Sequence, residues 1–416
     1  MRLPSLSQFK SQIQSLTRQQ QNIDALQKQA SSWQKIQHAS EDPLLANRIQ
    51  SMEDYLTGLD GYTANGKLAQ SRATLIDSTI QSSIGKINRA QELLQQAQSG
   101  SMAPADRRVV AEELKGLVDQ LYILTNTRDS NGDYIFSGTA AKSPSFVKGD
   151  NGYEYRGSQE RLTLTISRGN TVVYGESGMH LFGNMKVGNG SFEVLAHPET
   201  NTGSGVASPG KVLNHAEYVA DVYEIRMVTN SEGKLAYEVI GQNSGQVIPP
   251  PPKTSPDDAP AYVERGDIVF NGLSLQIEGL PAVGDTFTLR PAGTQNMLNT
   301  LMQLAESLDT ETDTPKQKAD LLQELSGFAA SLTEVNEYLR TRLSEHGARA
   351  KNIDEQVLTN DTLLKDGRID QKVLREIDPM EVISQMKQSM VTLEITQQSY
   401  MKMQEVFYAI LNQRQR

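Results

Sequence analysis

The groups in this chain that could do chemistry are five histidines, 50 Asp and Glu side chains and a few polar loops; there is no cysteine. A histidine serves as a metal ligand or proton shuttle when a second histidine or a carboxylate stands at ligand spacing, as in His-Glu-x-x-His. His38, His180, His197, His215 and His346 have no such neighbour, so surface positions are expected for them. The stretch DSNGDY, from Asp129, begins like a calcium loop. Its sixth position is Tyr134, where a glycine must turn the chain, and its twelfth is Ala140, where a bidentate glutamate belongs. It reads instead as a polar turn that stops a helix. GTAAKS, from Gly138, lacks the Gly-x-x-x-x-Gly-Lys-Ser/Thr spacing of a phosphate loop, and no Gly-x-Ser-x-Gly elbow occurs. With carboxylates at 50 of 416 positions, no acid/base pair stands out. The residues thus predict a protein that is not an enzyme and holds no cofactor or metal.

Composition narrows the remaining classes. At 416 residues the chain is long enough for two to four domains whose cores need no disulfide. The absence of Cys fits a protein that crosses redox compartments or works outside the cell. A net charge of -10 argues against a nucleic-acid backbone as partner. The first forty residues run the other way, with Arg2, Lys10, Arg18, Lys28 and Lys35 against Asp24. No segment approaches the ~18 consecutive apolar residues of a membrane span. The start, MRLPSLSQFKSQIQ, lacks the apolar region and small-residue cleavage site of a secretory signal, which predicts export by another route or none.

The elements that organise the chain are helices. Leu6, Phe9, Ile13, Leu16, Ile23 and Ala30 fall at alternate spacings of three and four, and so do Ile383, Met386, Met390, Leu393, Tyr400, Phe407 and Leu411. Such spacing marks the seam of a coiled coil. Gln20 and Gln27 interrupt one seam and Gln397 and Gln404 the other, which weakens pairing and makes it selective. Asp42-Pro43 starts a second helix, about 55 residues and roughly 80 Å if it is unbroken through Gly58, Gly61 and Gly66. Val110, Leu114, Leu117, Leu121 and Leu124 mark an antiparallel return helix. From about 140 to 290 the period becomes two: Leu162, Leu164 and Ile166 lead through a turn to Val172 and Tyr174, and Asn271-Gly272 joins another pair of strands. The proline-rich stretch from Pro249 to Pro260 is expected to be an exposed excursion between strands. Helices resume with Met297, Leu301 and Leu304, then Leu321 to Leu343, then the seam after Pro379.

The fold class expected is mainly α with an inserted β-rich domain: a long stalk of antiparallel coiled-coil helices built from both chain ends. Residues 1–42 with 378–416 would form a terminal domain disordered in the monomer, 43–139 with 291–377 a helical stalk, and 140–290 an outer antiparallel sheet domain. The two seams bury too little to be firmly ordered alone and more plausibly order against copies of themselves.

Four stretches resemble the flagellin-like proteins of the bacterial flagellum. SSWQKIQHASEDPLLANRIQ, from Ser31 to Gln50, is similar to that family's link between its first and second helices. AEELKGLVDQLYILTNTRDSNGDYIFSGT, from Ala111, carries a GDYIFSGT ending that sets it apart from ordinary filament flagellin. GDIVFNGLSLQIEGLPAVGDTFTL, from Gly266, and MEVISQMKQSMVTLEITQQSYMKMQEV, from Met380, resemble a hairpin and a C-terminal helix of the family. Trp33 and Gln34 depart from it, standing where relatives usually have a Gly and a basic residue, and IDPM replaces a more acidic approach to the last helix. The resemblance implies an inner tube built from both termini, a layer of paired long helices outside it and an outward-facing sheet insertion. It implies unfolded export through the flagellar type III apparatus without a cleaved signal, and an extracellular place between the first hook-associated protein and the flagellin filament. The implied partners are those two, copies of the chain in a ring or tubular layer, and a flagellar export chaperone at the C-terminal helix, with no nucleic acid and no membrane. Two rival functions stay open on the residues alone: a secreted adhesin displayed on a helical stalk, and a cell-wall hydrolase.

Overall fold

The computed structural model describes residues 6–99, 102–253, 255–310 and 312–414. The chain is mainly helical with an antiparallel β-rich insertion. It divides into two compact units, one running to Asn65 and resuming at Gln356, the other spanning Gly66–Glu355. Both divisions fall inside helices, whereas the sequence reading puts them at 42/43 and 377/378. The helices are α1 (Leu6–Ser32), α2 (Pro43–Ala97), α3 (Pro104–Thr125), α4 (Met297–Ser307), α5 (Pro315–Arg375) and α6 (Pro379–Arg414). Four of them begin on a proline, whose missing N–H costs nothing in a first turn. Asp42 Oδ1 accepts from the N–H of Leu44 and Leu45, both at 3.0 Å, and Asp378 Oδ1 accepts from Met380 at 2.9 Å, so two of these starts are capped by the residue before the proline. Helix α2 is unbroken through Gly58, Gly61 and Gly66. Helix α5 is longer than its sequence row suggests, because Ile353, Val357 and Leu364 extend the buried row past Leu343 with Asn360 buried among them.

Within the Gly66–Glu355 unit, one core joins α2, α3, α4 and α5 through Ile76, Ile80, Ile87, Leu114, Leu121, Leu301, Leu325 and Leu339. The segment after α3 enters that core. Asp129 Oδ1 accepts from the N–H of Asn131 and Asp133 at 2.9 and 3.0 Å, which makes the tight polar turn that delivers Ile135 and Phe136 inward. Phe136 is fully buried edge-on to Phe182, with ring centroids 5.0 Å apart. Gly138 has φ +57, and a Cβ there would lie 2.6 Å from the carbonyl oxygen of Ser158, so only glycine fits. Asn126 completes the joint: its Oδ1 accepts from Phe146 N–H and its Nδ2 donates to Phe146 C=O, at 3.1 and 3.0 Å.

The strands follow in chain order. β1 (Phe146–Gly149) pairs with β2 (Gly152–Tyr155), and β3 (Leu162–Ser167) with β4 (Asn170–Gly175), as two separate hairpins. A short π-helix, Met179–Gly183, leads to β5 (Met185–Lys186), β6 (Phe192–Ala196), β7 (Val206–Ala207), β8 (Lys211–Val212), β9 (Tyr223–Thr229), β10 (Leu235–Gly241) and β11 (Gly245–Ile248). After the proline-rich excursion come β12 (Asp267–Phe270), β13 (Leu273–Glu278), β14 (Thr286–Pro291) and β15 (Thr294–Gln295). A five-stranded antiparallel sheet runs β11-β10-β9-β14-β6, and a smaller one runs β12-β13-β7 with β8 also on β13. Asn271 and Gly272 join β12 to β13 with φ of 42° and 73°, the paired positive values a two-residue hairpin turn needs. The proline-rich excursion is exposed from Pro250 to Lys253 but docks on its return, where Tyr237 and Leu235 bond the backbone of Pro260 and Tyr262.

These strands serve two cores. Phe146, Tyr153, Leu181, Phe182 and Met185 belong to the helical core, while Phe192, Tyr223, Ile225, Leu275, Ile277 and Phe287 form a second one. The chain enters and leaves the second core at one point, since Ala292 N–H bonds Ser191 C=O at 3.0 Å. Ser331 and Gln323 on α5 hold its base through the N–H of Gly188 and Ala207, at 2.8 and 2.6 Å.

Removing residues 192–291 and joining the ends with two or three glycines is therefore expected to leave the helical core folded, with a melting midpoint within several degrees of the parent. Removing 144–290, which strips Phe146 and Phe182 from that core, is expected to abolish the cooperative transition; circular dichroism at 222 nm checks both. A second expectation concerns Asp221. Burial alone would raise its carboxyl. Hydrogen bonds from Ser244 Oγ and from the N–H groups of Ser244, Asn243 and Val222 overcome that and hold it at about 2. A depressed carboxylate stabilises the fold above its unfolded pKa and loses that contribution as pH falls toward the folded value. Asp221→Asn should cost about 1–2 kcal/mol at pH 7, and the cost should vanish between about pH 4 and pH 2 in urea titrations.

Candidate functional site

The site to be built is a surface. In the terminal unit α1 packs along α6. On α1 the residues turned inward are Gln12, Leu16, Gln19, Ile23, Leu26 and Ala30; on α6 they are Val382, Met386, Ser389, Leu393, Thr396, Tyr400 and Met403. Ile23 and Val382 are the most buried of them, at 6 % and 7 % exposure. Both series keep the alternate three-four spacing expected of a seam. The row is turned by one position from the one read in the sequence. Leu16, Ile23, Met386, Leu393 and Tyr400 lie on the packed face, while Ile13, Ile383 and Met390 lie outside it, exposed by 43 %, 42 % and 49 %. The side chains of Leu6, Phe9, Phe407 and Leu411 lie outside the described residues.

The geometry explains why two rows exist. A helix turns 3.6 residues at a time, so positions 12, 16, 19, 23, 26, 30 and positions 13, 16, 20, 23, 27, 30 are adjacent stripes sharing every seventh residue. The chain uses the first stripe internally and leaves the unshared positions of the second on α1, Ile13, Gln20 and Gln27, exposed. On α1 the glutamines of the packed stripe are consequently Gln12 and Gln19, not Gln20 and Gln27, which are exposed; on α6 Gln397 is exposed and Gln404 half-buried. The Oε1 atoms of Gln12 and Gln19 are buried with no hydrogen-bond partner. Each such oxygen costs roughly 1–3 kcal/mol, so the intrachain pair is held weakly. Met380, Val391, Ile395 and Val406 add a further exposed apolar strip on the other flank of α6.

The corner joining α1 to the rest of the unit is held by backbone. Lys35 N–H bonds Arg375 C=O at 2.8 Å, Ile377 N–H bonds Trp33 C=O at 3.3 Å, and Gln34 bridges Glu376. Lys35 Nζ reaches Val373 C=O at 2.6 Å. Leu56, Leu59 and Leu364 form a small core between α2 and α5, flanked by Arg368–Asp60 and Arg375–Glu53 pairs at 3.0 and 3.4 Å. Exposed pairs of this kind add well under 1 kcal/mol each and fix register more than stability.

His38, His197 and His215 are exposed. His346 is not: it is buried, with Nδ1 2.6 Å from Asp77 Oδ1. The expectation of a surface position fails there because Asp77 lies on α2, far away in sequence, where spacing along the chain gives no sign of it. Among the described residues no three His, Asp or Glu side chains are grouped to hold a metal ion, and no helix is long and apolar enough to cross a membrane. A cleft of about 620 Å³ between β6 and helices α4 and α5 is lined by Glu193, Arg290, Gln303, Asp320, Gln323 and Glu324. Arg290 is paired with Glu193 and Asp320 with Lys316.

Comparison with known proteins follows the same lines. Residues 7–141 match the family model of the bacterial flagellin N-terminal helical region. Flagellar hook-associated protein 3 of Salmonella typhimurium is 26 % identical over 182 residues, 44 % of this chain and 57 % of the relative, so the match spans little more than half the length of that protein. The crystal structure of flagellar hook-associated protein 3 from Legionella pneumophila superposes with a TM-score of 0.75 at 29 % identity, over 78 % of this chain and 98 % of that one. The flagellar junction protein from Legionella pneumophila gives a TM-score of 0.69 at 29 % identity, over 74 % and 99 %. In sequence and in fold this chain is thus similar to flagellar hook-associated protein 3, and its first third to the flagellin N-terminal helical region.

Proposed function

We propose that this chain is a structural adaptor of the bacterial flagellum, standing between the first hook-associated protein and the flagellin filament. One observation carries the reading: apolar side chains on both terminal helices, Ile13 on α1 and Ile383 and Met390 on α6, stay uncovered beside the row the two helices share. A helix that is apolar on more than one side is made for more than one neighbour. In a ring or tube of copies those side chains meet the same side chains of adjacent subunits, and Leu6, Phe9, Ile13, Leu16, Ile23, Ile383, Met386, Met390, Leu393, Tyr400, Phe407 and Leu411 form the assembly interface. The relatives named for the hook and the junction support this place in the appendage. Export through the flagellar apparatus, with a chaperone on α6 beforehand, accounts for termini that pair weakly in isolation. The role is mechanical, and no bond is made or broken. Purified chain should bind the first hook-associated protein; failure to do so at micromolar concentration would favour an adhesin.

In the isolated subunit, limited proteolysis is expected to remove residues 1–40 and 380–416 early and to leave a resistant middle, since Gln12 and Gln19 weaken the pair. Ends as durable as the middle at low protein concentration would contradict this.

Leu393 sits where both rows of α6 meet. Burying a leucine contributes roughly 1.5–3 kcal/mol, and an aspartate in its place leaves an unpaired charge in a dry seam. Because the loss recurs in every subunit of a tube, Leu393→Asp should change the melting temperature of the monomer by no more than a degree or two while abolishing filament attachment. Circular dichroism of the variant and a swimming assay of cells carrying it give the two readings. A variant that swims normally removes this seam from the assembly surface.

A further inference from the structure

Glu176, in the link from β4 to the π-helix, is 3 % exposed, which is rare for a carboxylate. Its Oε1 accepts from Arg349 Nη1 on α5. Its Oε2 is buried without a hydrogen-bond donor, and the nearest cationic groups are Arg161 Nε at 3.6 Å and His180 Nδ1 at 3.7 Å. His180 opens the π-helix region, with Nε2 3.2 Å from Arg161 Nη2. A guanidinium has only donors, so Nε2 accepts, and the ring is neutral with its proton on Nδ1. That proton faces Glu176 Oε2 across a gap too long for a hydrogen bond. Helix α5 closes the other side: Tyr338 Oη donates to the His180 carbonyl, and the charges of Arg342 and Glu345 bear on the ring. Burial, then Arg342 and Arg161, lower the pKa of His180, opposed by Glu176 and Glu345.

We propose that His180 is a proton-operated latch: on acidification its imidazolium displaces Arg161 from Glu176 Oε2 and releases the start of β3. A proton on Nε2 removes the acceptor that Arg161 uses. It also sets a new cation among Arg161, Arg342 and Arg349, opposed by Glu176 and Glu345. Arg349 is anchored on Oε1, and Arg342 is bonded to Glu345 and laid over the Tyr338 ring. Arg161 is the free member, since its side chain is about half exposed and moves into water at little cost. The imidazolium Nδ1–H then closes on Oε2. Because β3 and β4 pair only with each other among the described residues, their hairpin has no neighbouring strand to hold the freed end.

Hydrogen exchange of the full chain at pH 7 and pH 5, with labelling times scaled for the intrinsic rate, tests the latch. Protection of a peptide covering residues 158–166 is expected to fall about five- to tenfold at pH 5, with the helices unchanged. In His180→Gln, whose amide accepts from Arg161 but takes no proton, protection should be equal at both pH values. In Arg161→Ala the segment should be loose at both. Equal protection in the parent chain, or the same loss in His180→Gln, would overturn the proposal. Should His180→Gln fold poorly, the nitrogen spectrum of the parent's histidines decides: a His180 ring protonated on Nε2 at pH 7 excludes the latch, and one protonated on Nδ1 that gains its second proton below pH 6.5 supports it.

Discussion

The ring of Phe136, edge-on to Phe182, is where helices and strands of the Gly66–Glu355 unit become one dry core. Full burial of a phenylalanine contributes roughly 1.5–3 kcal/mol, and truncating it inside a close-packed core costs about 3–5 kcal/mol because the cavity cannot collapse. The neighbouring residues are arranged to keep it there. Asn126 holds the backbone of Phe146 from the end of α3, and Tyr155 Oη donates to Phe136 C=O at 3.0 Å from the second strand of the first hairpin. The first hairpin is therefore part of the helical core, whereas the sheets around Ile225 and Phe287 bury their own interior. The insertion is one stretch in sequence but two things physically.

The terminal unit answers a different constraint. Under the proposed assembly its helices must pair with each other loosely enough to accept neighbours, and the stripe geometry allows it. Leu16, Ile23, Met386, Leu393 and Tyr400 belong to both stripes, so the same side chains can be half-buried within one copy and covered further between copies. Leucine at positions 12 and 19 would remove two orphaned oxygens and tighten the intrachain pair. In the proposed tube such tightening would work against assembly, since a subunit content with its own partner gains less from the next one. Weak self-pairing is then a condition of the proposed assembly.

Local signals were legible in the sequence, and long-range ones were not. Asp42-Pro43 and Asn271-Gly272 appear in the structure as the cap and the turn that their chemistry requires, because each acts within three residues. The helical rows of α2, α3 and α4 follow from spacing for the same reason. The choice between two stripes on α1 and α6 could not be read, since both satisfy the spacing and the deciding partner lies more than 350 residues away. The extension of α5 past Leu343 was hidden by Asn360, a polar residue in the middle of its buried row. His346 with Asp77, and Glu176 with Arg349, are pairs across elements that no local pattern announces. The GDYIFSGT stretch was recognisable as a motif, but its reason is spatial: Gly138 must pass against the backbone of Ser158.

Trp33 shows how the resemblance and the physics meet at one residue. It is the sole tryptophan, it is 58 % exposed, and it holds φ +60, where a bulky side chain is disfavoured by roughly 1 kcal/mol or more. A glycine would meet no such penalty at this φ. The corner is over-determined by the bonds on either side of it: Trp33 N–H to Gln29 C=O, Ile377 N–H to Trp33 C=O, and Lys35 to both Arg375 and Val373. A backbone fixed from four directions keeps its dihedral whatever residue occupies it. The departure from glycine is thus tolerated by the fold, and the indole stands on the surface of the same unit that presents the uncovered apolar side chains of α1 and α6.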